Sequence, residues 1–188
     1  DLAHTLAHDA LTGLPNRMTF MRRAGEVLAG APDSRHAVVL VKVDRLRSIN
    51  NSFGTAFGNA LLLEVAARLG ATLRGGDGLA RLDNVKFGLL WREAGEGELA
   101  VRLEALRERL SGAFHLGGDS IMLSVTAGVA CYPDHGKEMD ALLRNAGMAQ
   151  HSAQATGSGA VRLFDDGMAS GLERRRRSIF QSELDTLC

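Results

Sequence analysis

The sequence lacks several features that would identify whole classes of protein. Aromatic residues make up only 5% of its 188 residues, and only three prolines occur. Twenty-two basic residues balance twenty-two acidic ones, so no net charge attracts nucleic acid or an anionic membrane. No apolar run approaches the roughly 20 residues that span a membrane. We therefore expect no nucleic-acid partner and no direct membrane contact by this chain.

Cysteine is also scarce. The two cysteines, Cys131 and Cys188, have neither metal-ligand spacing nor the density of a disulfide framework. Reduced thiols are typical of the cytoplasm, where we expect the domain to lie. The chain begins with Asp1 rather than Met, so we expect a segment of a longer protein, whose other parts are free to include a membrane anchor.

Alternating helical and strand patterns fill the chain instead. Apolar runs predict strands over 37–43, 121–130 and 161–164, and a hairpin over 79–91 around Asp83-Asn84. Helical spacing covers segments between and beyond them: 1–10, 20–28, 61–69, 99–110, 139–155 and 172–187. This alternation, with one hairpin, predicts an α/β fold, an α+β sandwich with a central sheet.

The start of the second helix has a local signal of its own. The turn residues Gly13 and Pro15 precede Asn16, whose side chain is a good N-cap. Helical spacing continues over 20–28, so we expect a helix that begins beside Asn16.

Four motifs occur in an order and spacing that resemble those of one family. They are DALTGLPNR at 9–17, NNSFG with GNALL at 50–62, ARLDNVKF at 80–87 and SVTAGVA at 124–130. Together, over about residues 6–164, they resemble the GGDEF domains, which form the diguanylate cyclase family. The resemblance implies a nucleotidyl-cyclase-like fold with a central five-stranded mixed sheet surrounded by helices.

The resemblance also implies how the chain is organised. Residues 11–166 form the GGDEF domain, residues 1–10 the end of an upstream signalling helix, and residues 167–188 a helical connector. Such a connector leads into an EAL phosphodiesterase domain in GGDEF–EAL proteins, so an EAL-type domain of the same parent chain is the expected partner. Cyclic-di-GMP and a second copy of the domain are the other candidate partners.

The departures from the family pattern fall on its chemistry. In the family's reaction two GTP-loaded domains form cyclic-di-GMP, and carboxylates hold the Mg²⁺ that stabilises charge on the attacked phosphate. Here Lys42 stands where the first strand's metal-binding aspartate is expected, although Asp44 is kept. Val85 and Lys86 stand where the hairpin's acidic pair is expected. An ammonium has no lone pair for a metal, so we expect no Mg²⁺, no other cofactor and no catalysis.

The hairpin's two glycines are replaced as well, by Asp83 and Asn84. Glycines let the backbone approach a phosphate closely, whereas these side chains keep the turn but crowd a nucleotide. The resemblance with these losses predicts a catalytically inactive domain that acts as a regulatory module in cyclic-di-GMP signalling.

Recognition of guanine and phosphate is only partly kept. The resemblance places Asn50 and Asn59 at the two positions that contact guanine, although Asn59 replaces an aspartate. Arg47 stands at a phosphate-binding position, whereas Gln154 and Ser158 replace two phosphate-binding cations. One interpretation is that the retained residues, Asn50 and Arg47 included, now only stabilise turns or lie at the surface.

The alternative interpretation is a metal-independent GTP sensor that regulates an adjacent phosphodiesterase domain. Lys42, Lys86 and Arg47 would form its cationic pocket, because lysine binds phosphate well as a point charge. The missing glycines argue against this alternative.

One further motif lies before the hairpin. Arg74 and Asp77 fit the Arg-x-x-Asp pattern at the distance where the family keeps its inhibitory cyclic-di-GMP site. An arginine fork and a carboxylate suit phosphate and guanine respectively. The pattern is short, and Arg162 with Asp165 matches it too. Retained product binding and a solvated ion pair in a glycine-rich turn are both open interpretations.

Overall fold

The computed structural model describes residues 2–169. Its helices are α1 (Leu2–Ala7), α2 (Arg17–Gly30), α3 (Leu46–Phe53), α4 (Thr55–Gly70), α5 (Glu96–Leu110) and α6 (Met139–Thr156). Its strands are β1 (His36–Val43), β2 (Gly78–Arg81), β3 (Lys86–Trp91), β4 (Phe114–Leu116), β5 (Asp119–Ile121), β6 (Val125–Tyr132) and β7 (Val161–Leu163). The helix predicted over 172–187 lies outside the described residues.

The main sheet has five strands in the order β2-β3-β1-β6-β7. Strand β1 pairs antiparallel with β3 and β6, β2 pairs antiparallel with β3, and β6 pairs parallel with β7. The predicted five-stranded mixed sheet is therefore confirmed. It places the end of β1 beside the turn of the β2–β3 hairpin.

Alternation along β1 separates two apolar layers. Val39 and Val41 face the layer that α4 and α5 cover, whereas Val38 and Leu40 face the layer that α2 and α6 cover. Burial on both faces explains why β1 is an almost unbroken apolar run.

Close contact between α6 and the sheet depends on Gly128 in β6. A Cβ atom added there would lie 2.1 Å from the Ala146 carbonyl oxygen and 2.2 Å from the Gln150 nitrogen. Because both are backbone atoms, any side chain at this position would push the helix away. The glycine of the SVTAGVA motif thus serves helix–sheet packing.

The N-terminus of α2 forms as predicted. The Asn16 side chain accepts a hydrogen bond from the Thr19 N–H at 3.0 Å, and its Nδ2 donates to the Leu6 carbonyl at 2.7 Å. One side chain therefore caps α2 and also ties it to α1.

The strand predicted over 121–130 is wrong at its start. Ile121 ends β5, which pairs with β4 in a separate two-stranded hairpin, and β6 begins only at Val125. The turn between β4 and β5 uses Gly117 and Gly118, both with positive φ. Ser124 then leaves the strand pattern and hydrogen-bonds with Asp44 through its carbonyl and its hydroxyl. An apolar alternation continues across such a break, so the sequence pattern does not reveal it.

Within residues 2–169, none of the helices combines the length and apolar composition that crossing a membrane requires.

Candidate functional site

Two lysines face each other where the chain's strongest family departures fall. In the β1–β3 pair Lys42 lies directly opposite Lys86, and on its other side Lys42 pairs with Thr126 of β6. Lys86 Nζ lies 3.8 Å from Asp83 Oδ2, while Lys42 has no ion-pair partner among residues 2–169. Like charges directly opposite each other in a sheet repel, so this cross-strand pair does not itself stabilise the end of the sheet.

Side chains of the β2–β3 hairpin hydrogen-bond with the backbone of its own turn. Asp83 Oδ1 accepts a hydrogen bond from the Val85 N–H at 2.9 Å, which closes the turn from within. The Arg81 guanidinium donates to the carbonyl oxygens of Asp83 at 3.2 Å and Asn84 at 3.0 Å. The hairpin predicted around Asp83-Asn84 is confirmed, and its turn is fixed by Arg81.

Asp9, from the first motif, holds that arginine in place. Both of its carboxylate oxygens lie 3.1 Å from Arg81 Nη1, and one of them accepts hydrogen bonds from the N–H and hydroxyl of Thr12. Burial alone would raise the pKa of Asp9, but the bonds from Thr12 and Arg81 outweigh it, and the pKa lies below its ordinary value. The first and third motifs therefore form one charged unit.

Asp44 is the carboxylate that remains near the lysines, and it is buried. Its Oδ2 accepts hydrogen bonds from Ser124 Oγ at 3.0 Å and Thr126 Oγ1 at 3.3 Å. Gln150 from α6 donates to Thr126 Oγ1 at 3.0 Å, which extends the network. Asp44 Oδ1 has no hydrogen-bond partner among the described residues. The SVTAGVA motif contains Ser124 and Thr126 without indicating a role for them, and sequence inspection did not find Gln150, because no local pattern links these residues to Asp44.

These residues do not fit a Mg²⁺ ion. One buried carboxylate is present, and two ammonium groups stand where further oxygen ligands are needed. In the described part of the chain no three His, Cys, Asp or Glu side chains cluster in a way that could hold a metal.

The NNSFG and GNALL motifs lie on two successive helices, α3 and α4, which carry Asn50 and Asn59 respectively. Asn50 Oδ1 is buried and has no hydrogen-bond partner among residues 2–169. A Cβ atom at Gly58 would lie 1.8 Å from this oxygen, so Gly58 leaves the space that the Asn50 side chain fills. Asn59 is half-buried and Arg47 is exposed.

The two polar replacements predicted near the late helix lie at the surface. Gln154 is exposed on α6 and accepts a hydrogen bond from Gln150 Nε2 at 3.4 Å. Ser158 is exposed and donates to the Leu123 carbonyl at 3.4 Å. Both side chains therefore form hydrogen bonds within the domain.

Arg74 and Asp77 do not pair through their side chains. Asp77 is buried, with Oδ2 accepting from the Arg74 N–H at 2.9 Å and from the Arg102 guanidinium, and Oδ1 accepting from the Arg92 N–H at 2.9 Å. The Arg74 guanidinium lies in solvent, 3.5 Å from Glu98. The aspartate thus holds the fold together while the arginine remains at the surface.

Arg102 is the residue that sequence inspection missed. It is 5% exposed, and its guanidinium carbon lies 4.7 Å from the centre of the Trp91 ring. The sequence did contain a sign of this role. Arg102 lies among the apolar residues of α5, between Leu99 and Leu106, and a charged side chain on a buried helix face needs a buried partner.

The second match to the short pattern forms no comparable cluster. Arg162 donates to Ser152 Oγ at 2.7 Å on the surface, and Asp165 accepts from the Met168 N–H at 3.2 Å. Arg162 and Asp165 therefore form separate hydrogen bonds and do not pair with each other.

Comparison with known proteins agrees with the motifs. The family described as "Diguanylate cyclase, GGDEF domain" matches residues 6–160. The diguanylate cyclase TpbB of Pseudomonas aeruginosa is 35% identical over 168 residues, which cover 87% of this chain and 39% of that protein. The bifunctional diguanylate cyclase/cyclic di-GMP phosphodiesterase MucR of the same species is 30% identical over 177 residues, which cover 93% of this chain and 26% of that protein.

A solved structure agrees in fold. The structure comprising only the GGDEF domain of TpbB superposes with a TM-score of 0.82 at 31% identity, covering 88% of this chain and 99% of that one. The chain spans about two fifths of TpbB and a quarter of MucR.

Proposed function

The chain belongs to the GGDEF family of cyclic-di-GMP signalling proteins, and on that premise we propose that it is a non-catalytic, regulatory GGDEF domain. The observation that carries the proposal is the cross-strand pair of Lys42 and Lys86. In a metal-dependent cyclase the ends of these two strands must supply oxygen ligands to a cation. Here they supply two positive charges.

Loss of the metal removes more than one contribution to catalysis. A divalent cation stabilises charge at the attacked phosphate, and a nearby carboxylate is the natural base for the attacking hydroxyl. Asp44 alone does not supply both roles, because Ser124 and Thr126 hold its Oδ2 and only its Oδ1 has no hydrogen-bond partner among residues 2–169. Asp83 is likewise engaged by Val85 and Lys86.

Metal binding gives a direct test of this part of the proposal. Titration of the chain with Mn²⁺, followed by electron paramagnetic resonance, should show no saturable site up to about 1 mM. TpbB, which is named a diguanylate cyclase, is the positive control. Saturable binding that Asp44→Asn abolishes would contradict the proposal.

A second candidate function, a metal-independent GTP sensor, is favoured by one specific observation. Asn50 Oδ1 is buried without a donor, and a purine N–H would supply one. The lysine pair lies at the end of the sheet and offers charge to phosphates without any metal. If GTP raises the unfolding temperature without Mg²⁺, and Lys42→Ala abolishes that rise, the sensor is the better description.

Regulation requires partners. We expect an EAL-type phosphodiesterase domain in the same parent chain, because the relative MucR combines diguanylate cyclase and cyclic di-GMP phosphodiesterase in its name. Cyclic-di-GMP at Arg74 and a second copy of the domain are the other proposed partners. Because Asp77 is held by Arg102, Arg74 is the member of the pair that remains available to a ligand.

A further inference from the structure

A cavity of about 530 Å³ lies beside β2, the edge strand of the main sheet. Helix α2 and helix α4 form its sides, and its wall is mostly apolar: Leu14, Phe20, Val27, Leu73, Leu79 and Leu90. This volume is within the range of about 300–1,000 Å³ that small-molecule sites occupy. The cavity includes neither the lysine pair nor the hairpin turn, so the inference below does not depend on whether the domain is catalytic. Two residues of the Arg74 turn, Gly76 and Asp77, do line it.

The wall of the cavity offers one backbone donor and one backbone acceptor. Residues 78, 80 and 82 hydrogen-bond with β3 in the antiparallel register, whereas the Arg81 N–H points outward to the Pro15 carbonyl at 3.0 Å. Since directions alternate along a strand, the N–H and C=O of Leu79 also point outward. Leu79 lines the cavity, and outside the strand pair no described residue hydrogen-bonds with its backbone.

One cation also lines the cavity. Arg23 on α2 is exposed, and among residues 2–169 it has neither an ion-pair nor a hydrogen-bond partner. Its neighbour Arg22 differs, because it pairs with Glu26 at 3.4 Å and does not line the cavity. Asp77 also lines the cavity, but its carboxylate is paired with the buried Arg102. Arg23 is therefore the lining side chain whose charge has no counterion among residues 2–169.

We propose that this cavity binds a small apolar organic anion. The apolar body lies between α2 and α4, the anionic group pairs with Arg23, and a polar group beside the body bonds with the Leu79 backbone. Charge complementarity selects an anion over a neutral molecule, and the mostly apolar wall selects an organic ion over phosphate alone.

Strand addition by a peptide fits this edge poorly. Strand β2 is only four residues long, and the Arg81 N–H is already bonded to Pro15. A single residue, Leu79, is left to pair with an incoming strand. Two hydrogen bonds suit a compact ligand better than an extended chain, which gains its affinity from a row of backbone bonds.

The test uses 8-anilinonaphthalene-1-sulfonate, an aromatic sulfonate with an N–H group, titrated into the chain and followed by fluorescence. We expect saturable one-to-one binding. Arg23→Gln should weaken it about two- to fivefold, the effect of losing one exposed ion pair. Arg22→Gln, the matched control, should leave it unchanged. Ala66→Leu, which fills the cavity from α4, should abolish it.

Three results would overturn the proposal. They are equal losses in Arg22→Gln and Arg23→Gln, full binding by a folded Ala66→Leu variant, and equal affinity for the neutral dye N-phenyl-1-naphthylamine. Because Arg23 is exposed, its substitution keeps the fold and decides the matter even if Ala66→Leu does not fold.

Discussion

Arg81 Nη1 lies 3.1 Å from both carboxylate oxygens of Asp9, so a single guanidinium joins the chain's first motif to the β2–β3 hairpin. Through its other two nitrogens Arg81 binds the carbonyls of the turn. The hairpin has therefore kept its support while the residues at its tip have changed.

Removing the Asp9 charge should destabilise the domain and change its response to acid. We expect Asp9→Asn to lower the free energy of unfolding at neutral pH by about 1.5–3 kcal/mol, the value of a charge-assisted hydrogen bond. The folded-state pKa of Asp9 lies below its ordinary value of 3.8. Its charge therefore stabilises the fold above that pH, and this contribution is lost as pH falls through the folded-state pKa.

Urea denaturation at several pH values measures both effects. The difference between wild type and Asp9→Asn should be largest near pH 7 and should shrink below about pH 4. Asp134→Asn is the matched control, because Asp134 forms an exposed pair with Arg35 and should cost at most about 1 kcal/mol. Equal destabilisation by the two variants would show that the Asp9–Arg81 contact has no special role.

Asp77 should behave as a structural residue. Asp77→Ala leaves Arg102 buried without its partner, so we expect a loss of about 3–5 kcal/mol of unfolding free energy. Glu98→Ala, which removes the exposed partner of Arg74, should change it by less than about 1 kcal/mol. Chemical denaturation distinguishes the two, and a nearly neutral Asp77→Ala would mean that the buried pair is not formed in solution.

Cyclic-di-GMP binding at the Arg74 turn should depend on Arg74. Losing a charge-assisted contact costs about 1.5–3 kcal/mol, so Arg74→Ala should weaken binding about ten- to a hundredfold. Arg162→Ala alters the second match to the same short pattern and should have no effect. Calorimetry measures both. Equal losses would indicate general electrostatics, and no binding by wild type at high micromolar ligand would mean that the site is vestigial.

Restoring one carboxylate should not restore synthesis. We expect no turnover from Lys86→Glu, because Lys42 still faces that position and Asp83 still closes the turn with its own side chain. Chromatography of reactions with GTP and Mg²⁺ checks this. Measurable turnover in the single variant would show that Lys42 and the turn do not block the site.

The elements that sequence predicted correctly are those with a periodic or local signal. The buried run of β1, the apolar stripe of α4 and the Asn16 cap each depend on residues close together in the chain. The break between Ile121 and Val125 was missed, because alternation persists through it while the backbone turns to meet Asp44.

The candidate site was predictable in part. The resemblance identified Lys42 and Lys86 as departures, but their direct opposition depends on the register of two strands that are distant in sequence. The partner of Asp77 was not predictable from the Arg-x-x-Asp pattern, since Arg102 comes from helix α5, 25 residues further along the chain. Long-range pairs of this kind require the fold.

The measurement that most directly tests the central claim is synthesis of cyclic-di-GMP from GTP and Mg²⁺, with TpbB as the positive control. The facing lysines Lys42 and Lys86 predict no product above a no-enzyme control, even at long incubation and high protein concentration. Product that accumulates in proportion to the amount of this chain would contradict the claim that the domain is non-catalytic.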